Sequence, residues 1–370
     1  MSPPAPKKIL MTADTVGGVW TFAIELCAEL AARGSEIMLL SMGRLPDDAQ
    51  RAEAAAIPNL HLAPTAYRLE WMQDCEPDVI ESGKLLLRLA REFRPDIVHV
   101  NGYYHAALPF DVPVLLTAHS CVSSWWRACK GEALPPEWRV YEQWVKAAVR
   151  SADMLVAPTH AYLAEFQKRH GLGKRARVIW NGRNASLFRP GEEQNVVLAA
   201  GRIWDEAKNI RVLCEAVRDA EMKIRVAGDD VSPDGSRCDL NGVALLGRLS
   251  REEMALEMAR AAVFASPARY EPFGLTTLEA ALSGCALALA DIPSLRELWD
   301  GAATFVDPDD VQGWRAALSA LTRNPDCAAA QGRVARDRAL AYSPPRMADG
   351  YCDAYRTLLS SARTVTEAAA

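Results

Sequence analysis

A short segment in the second half of the chain carries two glutamates eight positions apart, on either side of a glycine: Arg269-Tyr-Glu271-Pro-Phe-Gly274-Leu-Thr-Thr-Leu-Glu279-Ala. A strand-like apolar run ends at Ser266, and helical residues begin near Leu275 or Thr276. The backbone N–H groups of residues 274–276 would then lie at a helix N-terminus, which binds anions. Two carboxylates beside a phosphate site can accept hydrogen bonds from hydroxyl groups on either side of a pyrophosphate. The segment therefore suits a sugar nucleotide. The alternative is that one glutamate caps the helix and the other is an ordinary surface residue.

Other nucleotide and metal motifs are weaker. Gly171-Leu-Gly-Lys-Arg-Ala176 matches the dinucleotide fingerprint as a string, but a helix precedes it and a strand follows, whereas the motif needs a strand first and a helix after. The sequence has no G-x-x-x-x-G-K-[ST], H-E-x-x-H or G-x-S-x-G motif. Asp307-Pro-Asp309 matches a metal-binding D-x-D string. We favour a cap for the helix that begins near Val311, because acidic side chains stabilise the positive end of a helix.

The elements that must position these residues follow a strand, turn, helix, strand order, which indicates parallel sheets. In the first half, an apolar run at 9–11 is followed by a turn at Gly17-Gly18 and a helical stripe over 19–33. Further strands are predicted at 37–40, 97–100, 114–117 and 154–157. A second cycle begins after residue 190, with strands at 195–200, 222–227, 243–246, 262–266 and 286–290 around a loop at 228–235. We therefore predict two Rossmann-like domains and an amphipathic closing helix over 347–358.

Length and composition are those of a globular protein. The chain has 370 residues, 50% hydrophobic and 24% charged, which suggests about two domains. Its formal charge of −5 lacks the basic surplus of a nucleic-acid binder. Nine scattered cysteines without a C-x-x-C pair suit reduced thiols better than disulfides or a zinc site. No apolar run reaches the roughly 18 residues of a spanning helix, and we expect a cytoplasmic protein without a secretion signal.

Several motifs jointly resemble the retaining family 4 glycosyltransferases of GT-B fold, over nearly the whole chain. The E-P-F-G-L-x-x-L-E-A block is similar to their signature, and Gly17-Gly18-Val19 to their N-terminal glycine loop. Arg94-Pro-Asp-Ile-Val-His-Val100 and Leu116-Thr-Ala-His119 are similar to two of their strands, the second carrying a sugar-contacting histidine. Gly201-Arg202 with Lys208 resembles their phosphate clamp, although Lys208 stands six residues after Arg202 rather than the usual five.

The resemblance implies a GT-B fold of two facing Rossmann-like domains with parallel sheets. Residues 1–185 would form the acceptor-binding domain, 186–342 the nucleotide-sugar-binding domain, and 343–370 a helix that crosses back to the first domain. The implied activity is retaining transfer of a hexose from a nucleotide-diphosphate sugar to an unidentified hydroxyl acceptor, with no metal and no other cofactor. The acceptor would be a small molecule, a glycan or a lipid-linked molecule; nucleic acid is not expected, and the oligomeric state stays open.

The chemistry of the leaving group defines the candidate catalytic and donor-binding residues. A departing diphosphate gains negative charge, which fixed cations and helix N–H groups can meet without a metal. The resemblance assigns Glu279 to ribose, Glu271 to the transferred sugar, His119 to the sugar near the reacting carbon, and Gly17 and Gly18 to the distal phosphate. The diphosphate charge then falls to Arg202, Lys208 and the amides of Gly274, Leu275 and Thr276. The alternatives are a core histidine for His119 and a solvated loop cation for Arg202.

Fewer residues support the predictions of the stereochemical course and of the acceptor-binding region. No obvious carboxylate nucleophile stands beside His119, so we favour a same-face mechanism in which the leaving phosphate helps to deprotonate the acceptor. Aromatic walls suit sugar and lipid acceptors, which makes Trp125 and Trp126 candidates. Further candidates lie at the end of the 97–100 strand and in the residues that follow it: His99, Asn101, Tyr103 and His105. Core packing is an equal alternative. The amphipathic stretch 139–150 could touch an anionic membrane peripherally, although an ordinary docked helix is the favoured interpretation.

Three competing functions are separable. A sugar-nucleotide epimerase of the same fold would act on the donor alone, without an acceptor. A nicotinamide-dependent dehydrogenase would need the glycine fingerprint that is missing at both domain starts. A non-catalytic nucleotide-sugar-binding protein would not need the full set of Arg202, Lys208, Glu271 and Glu279.

Overall fold

The computed structural model describes residues 5–218, 222–231, 235 and 240–369, with side chains up to residue 361. These residues form two compact units. The first comprises the residues up to Ser124, then Ala133–Gly182, and the chain from Pro344 onward. The second comprises Trp125–Glu132 and Arg183–Ser343. Part of the loop predicted at 228–235 lies outside the described residues, as does Cys238.

The first unit is built on a seven-stranded parallel sheet. Its strands are β1 Lys8–Asp14, β2 Glu36–Met42, β3 Leu60–Pro64, β4 Ile97–Val100, β5 Val114–Thr117, β6 Met154–Ala157 and β7 Ala176–Val178. Their order across the sheet is β3-β2-β1-β4-β5-β6-β7, with Met11 of β1 opposite Leu39 of β2 and His99 of β4. The direction of winding therefore reverses between β1 and β4, which is where open α/β sheets form a crevice.

Seven helices lie between or after these strands: α1 Gly18–Ala32, α2 Asp48–Ala55, α3 Glu76–Phe93, α4 Tyr103–Ala106, α5 Val122–Lys130, α6 Arg139–Ser151 and α7 His160–His170. Helix α1 buries an apolar stripe and ends before Gly34, whose positive φ of 90° suits a residue without a side chain. Helix α6 buries Tyr141, Val145 and Ala148. The apolar face of the 139–150 stretch is thus part of the first unit's interior, as the docked-helix interpretation predicts.

The second unit repeats the plan with six parallel strands: β8 Gln194–Ala200, β9 Ile224–Ala227, β10 Ala244–Gly247, β11 Ala261–Ser266, β12 Ala286–Ala290 and β13 Thr304–Val306. Their order is β10-β9-β8-β11-β12-β13, with the reversal between β8 and β11. Its helices are α8 Ile210–Ala216, α9 Arg251–Arg260, α10 Leu275–Leu282, α11 Pro293–Trp299, α12 Val311–Arg323 and α13 Pro325–Ala339. A Cβ on Gly228 would lie 1.7 Å from the carbonyl oxygen of Gly201, so the loops after β8 and β9 approach backbone to backbone.

The last helix, α14 Pro344–Ala369, returns to the first unit. Met347, Tyr351, Tyr355 and Leu358 join the apolar core that surrounds β1 and α1. Arg33 at the end of α1 lies 2.7 Å from the carboxylate of Asp349. The predicted fold class, two Rossmann-like domains with parallel sheets and a C-terminal helix packed on the first, is confirmed. None of the described helices is both long and apolar enough to cross a bilayer.

His99 joins the first sheet to α14. Its side chain is fully buried, with Nδ1 2.7 Å from the Tyr355 hydroxyl and Nε2 2.7 Å from the Thr117 hydroxyl. Its ring stacks on Tyr351 with 5.1 Å between centroids. Both ring nitrogens of His99 are hydrogen-bonded inside the core, so the prediction that His99 binds the acceptor is wrong. The sequence alone does not show which side of the sheet this residue faces. Burial lowers the pKa of His99 to about 3.

We expect acid to destabilise the fold through this buried histidine. An unfolded histidine titrates near 6.5, so below that pH the unfolded chain binds more protons than the folded chain, and stability falls as pH decreases toward 3. The slope is at most about 1.4 kcal/mol per pH unit for each such histidine. Urea unfolding between about pH 7.5 and pH 5 should show a shallower pH slope in His99→Gln than in the wild type. Exposed His61→Gln is the matched control, and equal slopes in wild type and His99→Gln would contradict the assignment.

Candidate active site

The E-P-F-G-L block forms the connection from β11 to α10. Gly274 is the N-cap of α10 and has φ of 86°, a left-handed conformation that favours glycine. A Cβ there would also lie 3.2 Å from the Thr277 hydroxyl and 3.3 Å from Cγ of Glu271. Among the described residues, no side chain caps this helix. The first-turn amides, including those of Leu275 and Thr276, therefore keep the anion-binding capacity that the sequence predicted.

Lys208 is brought to this block by the loop after β8. A short 3-10 turn, Glu206–Lys208, begins at Asp205, whose side chain accepts from the amide of Ala207. The backbone amide of Arg269 donates to the carbonyl of Ala207 over 2.9 Å, which ties the two loops together. Lys208 Nζ then lies 2.6 Å from Glu271 Oε2, with the two side chains 20% and 15% exposed. The extra residue between Arg202 and Lys208 therefore does not carry the lysine away from the block.

Arg202 follows β8 but has a different partner. Its guanidinium lies 2.7 Å from the carboxylate of Asp205 and above the ring of Trp204, 5.4 Å from the centroid. The Arg202 side chain is 39% exposed while Asp205 is buried at 5%. Asp205, which is not among the predicted site residues, thus both shapes the Lys208 turn and holds Arg202. An aspartate directly before a short helical turn is a signal for such a cap.

Glu279 lies in the buried face of α10. Its Oε1 accepts a hydrogen bond from Arg183 Nε at 2.7 Å, and the two side chains are only 12% and 4% exposed. The Arg183 guanidinium also lies 5.1 Å from the ring centroid of Phe188. Arg183 is not predicted from the sequence, because nothing local distinguishes this arginine from a solvated one in a segment between domains.

In the first unit, the β1–α1 connection presents another open helix end. Asp14 Oδ1 accepts from the amides of Val16 and Gly17 at 3.0 and 3.1 Å. Gly17 is the N-cap of α1 with extended backbone, and Gly18 begins the helix; within the described part of the chain, no side chain caps it. This is the glycine loop expected to approach a phosphate.

His119 follows β5 and is held as a neutral imidazole. Asn101 Nδ2 donates to the carbonyl of Thr12 at 2.6 Å, so its Oδ1 is the acceptor that faces His119 Nε2 at 2.7 Å. Nε2 then carries the proton and Nδ1 is left as a hydrogen-bond acceptor. Burial lowers the pKa of His119 to about 3, and its ring contacts Phe22 with 4.5 Å between centroids. A neutral imidazole of this tautomer can accept a hydrogen bond from a sugar hydroxyl.

Comparison with known proteins identifies the family. Residues 16–187 match the model of Glycosyltransferase Family 4, and residues 194–324 match the model of Glycosyl transferases group 1. The chain is 26% identical to a glycogen synthase of Mycobacterium tuberculosis over 362 residues, covering 87% of this chain and 86% of that protein. The chain belongs to the family 4, group 1 glycosyltransferases.

Solved structures give the same fold. Sucrose-phosphate synthase from Thermosynechococcus elongatus superposes with a TM-score of 0.80 at 18% identity, covering 96% of this chain and all of that one. Anabaena Alr3699/HepE in complex with UDP-glucose superposes with a TM-score of 0.74 at 17% identity, covering 95% of this chain and all of that one. The protein is therefore a glycosyltransferase of GT-B fold.

The residues predicted to bind the acceptor of this glycosyltransferase have different environments within their own units. Tyr103 is 3% exposed, and its hydroxyl donates to the carbonyl of Ser120, so its side chain belongs to the core and the prediction of acceptor contact is wrong. Asn101 orients His119, as described above, and His105 is buried against α3. Trp125 and Trp126 group with the second unit, where Trp125 Nε1 donates to Asp205 at 2.8 Å.

The acidic string at 307–309 has a structural role, but a different one from that predicted. Asp310, rather than Asp307 or Asp309, caps α12 by accepting from the amide of Gly313. Asp309 instead lies 2.5 Å from the guanidinium of Arg269. Across the described ranges, no group of three or more His, Cys, Asp or Glu side chains could hold a metal ion. The helix begins at Val311 as predicted, but the prediction of a cap at 307–309 is wrong, because the capping residue is the one directly before the helix.

We expect the Arg183–Glu279 pair to be structural as well as functional. Removing one partner of a buried ion pair leaves an uncompensated charge and costs about 3 kcal/mol or more. Glu279→Gln should therefore lower the free energy of unfolding by about that amount, and Arg183→Met combined with Glu279→Gln should recover a large part of it. Urea unfolding of both single variants and the double variant measures the coupling. Additive losses in the double variant would contradict the pairing.

Proposed function

We propose that the protein is a retaining, metal-independent glycosyltransferase that moves a hexose from a nucleotide-diphosphate sugar to a hydroxyl acceptor. The observation that carries the proposal is the Lys208–Glu271 pair beside the uncapped N-terminus of α10. A cation, a carboxylate and free amides in one place match a phosphate on one side and sugar hydroxyls on the other. Both loops lie at the point where the strand order reverses, between β8 and β11.

The proposed mechanism is stabilisation of the leaving diphosphate. When the bond from the anomeric carbon to the phosphate oxygen breaks, negative charge grows on the diphosphate. Lys208 and the first-turn amides of α10 are already oriented by the fold, so they stabilise this charge without reorganisation. Arg202 is half-exposed on its Asp205 partner, and it turns toward the phosphate when the donor is bound.

The two carboxylates then act on different parts of the donor. Glu271 holds hydroxyls of the transferred sugar and keeps Lys208 in place, whereas Glu279, deeper in α10, holds the ribose. Gly17 and Gly18 at the start of α1 let the backbone approach the distal phosphate, and His119 accepts a hydrogen bond from the sugar through Nδ1.

We attribute retention of the anomeric configuration to a same-face mechanism. Among the described residues, Asn101 is hydrogen-bonded to His119 and Phe22 packs against its ring, and neither is a nucleophile that could form a covalent sugar intermediate. The leaving phosphate oxygen therefore accepts the proton of the acceptor hydroxyl as the new glycosidic bond forms on the same face. The relationship to a protein crystallised with UDP-glucose makes a UDP-hexose the first donor to test. Product formed from the donor alone, without an acceptor, would favour the epimerase alternative.

The first prediction of this proposal concerns metal ions. If fixed cations and amides neutralise the diphosphate, hydrolysis or transfer of UDP-glucose should continue in excess EDTA at the rate seen without the chelator. The measurement is release of UDP, with and without added Mg²⁺ or Mn²⁺. Complete loss of activity in EDTA, with recovery on adding either metal, would contradict the metal-independent mechanism.

The second prediction separates Lys208 from Glu271. Lys208→Met keeps most of the aliphatic stem but removes the charge, and it should lower kcat/KM by roughly 30- to 1000-fold while weakening UDP binding. Glu271→Gln should lower kcat because its sugar contacts strengthen in the transition state, while UDP affinity changes little. Exposed Lys223→Met in the same unit is the matched control.

Steady-state kinetics and calorimetry with UDP on the three variants provide the test. If Glu271→Gln loses UDP affinity while kcat is preserved, Glu271 is a nucleotide ligand and the assignment is wrong. If Lys208→Met behaves like Lys223→Met, the diphosphate is bound elsewhere.

A further inference from the structure

The first unit contains a recess at its own strand-order reversal, between β1 and β4. It is lined by the end of β1, including Asp14, by Arg68 and Glu70 from the segment before α3, and by Asn101, Gly102 and His105 after β4. Its cavity volume is about 50 Å³, more than the roughly 10–15 Å³ that one ordered water needs. The recess can therefore hold a small polar group of a ligand.

His105 places an unpaired acceptor in this recess. The side chain is 4% exposed, and its Nε2 lies 2.9 Å from the Ser82 hydroxyl. Ser82 donates its own proton to the carbonyl of Val79, so Nε2 must carry the hydrogen and Nδ1 is a bare lone pair. In the part of the chain that the structure describes, no donor lies within hydrogen-bond distance of Nδ1. Burial lowers the pKa of His105 to about 4, which keeps the ring neutral.

Glu70 supplies a second acceptor next to the first. Its carboxylate receives hydrogen bonds from the amides of Tyr103 and Tyr104 at 2.9 and 3.0 Å. These bonds do not fill its lone pairs, since an ionised carboxylate can accept about four. Burial raises the pKa of Glu70 to about 7, so a donor from a ligand would stabilise the ionised form.

Gly102 keeps the space between these two acceptors open. A Cβ on Gly102 would lie 3.5 Å from His105 Nδ1 and 3.6 Å from Glu70 Oε2, so both atoms border the same small volume. The backbone of Gly102 is extended, with φ of −140°, and any residue could adopt it. The absence of a side chain here therefore has no conformational cause, and it leaves a cradle between two acceptors.

This cradle requires a ligand that donates hydrogen bonds. We propose that the recess is the acceptor subsite of the enzyme and that it binds neighbouring hydroxyl groups of a neutral sugar or polyol, one donating to His105 Nδ1 and another to Glu70. The assignment rests on the proposed function, which calls for a hydroxyl acceptor. A phosphorylated acceptor group is disfavoured here, because Glu70 and Asp14 would repel it while the Arg68 guanidinium is already engaged by the carbonyls of residues 73 and 74.

Gly102→Ala and a pair of His105 variants test the subsite. Gly102→Ala fills the cradle with contacts of ordinary van der Waals length and should weaken polyol binding by roughly tenfold or more. His105→Gln can still donate to Ser82 but lacks an acceptor at the Nδ1 position, and should weaken binding by roughly 3- to 10-fold. His105→Asn, whose amide oxygen lies near the position of Nδ1, should retain more affinity than His105→Gln. Exposed His61→Gln is the control.

The probes are glycerol, myo-inositol, glucose and maltose, with glucose 6-phosphate as the anionic match, titrated by ligand-observed NMR in the presence of saturating UDP. The expected result is binding of at least one neutral probe that Gly102→Ala and His105→Gln weaken and His61→Gln does not. Three results would overturn the subsite: no neutral probe binds, glucose 6-phosphate binds more tightly than glucose, or Gly102→Ala leaves affinity unchanged.

UDP calorimetry on the same samples keeps this test apart from that of the proposed function. The residues proposed to bind UDP do not line the recess, so a wild-type protein that fails to bind UDP contradicts the proposed donor site. A protein that binds UDP but shows one of the three results above contradicts only the acceptor subsite.

Discussion

Parallel pairing of the strands is the constraint on which both candidate sites depend. Every strand of a parallel sheet delivers its following loop to the same edge, and where the strand order reverses the two loops diverge and leave a crevice. In the second unit the reversal lies between β8 and β11, and the loops that follow them carry Lys208 and Glu271. Residues 63 positions apart thus come within 2.6 Å. The same reversal between β1 and β4 places Asp14 beside Asn101 and the recess.

Two ion pairs in the second unit differ in burial. Arg183 and Glu279 are nearly inaccessible, so their mutual neutralisation stabilises the fold and limits how far Glu279 can move when a ligand binds. Lys208 and Glu271 are more exposed and sit at an uncapped helix end. Glu271 holds Lys208 in position before the substrate binds, and an arriving diphosphate would give this lysine a second anionic partner.

The sequence predicts the position of a strand correctly where the hydrophobic pattern alone determines it. Strands β4, β5 and β6 are continuous buried runs and lie where they were predicted, whereas β3 and β13 are short and partly exposed and were missed. Side-chain partners are harder to predict, because they depend on contacts far apart in the chain: Arg183 finds Glu279 across 96 positions. His99 and His105 look equivalent as polar residues near a strand end, yet one has both nitrogens bonded and the other has a bare Nδ1.

The two units also offer a ligand opposite kinds of hydrogen-bonding group. The crevice of the second unit presents donors, namely helix amides, Lys208 and Arg202, which match a phosphate that only accepts hydrogen bonds. The recess of the first unit presents acceptors, His105 Nδ1 and Glu70, which match hydroxyls that can donate. If both substrates were recognised by the same kind of group, a nucleotide phosphate and an acceptor hydroxyl would compete for either site. Opposite hydrogen-bonding character gives each substrate one favourable site, because the wrong substrate leaves buried donors or acceptors unpaired there, at a cost of about 1–3 kcal/mol for each group.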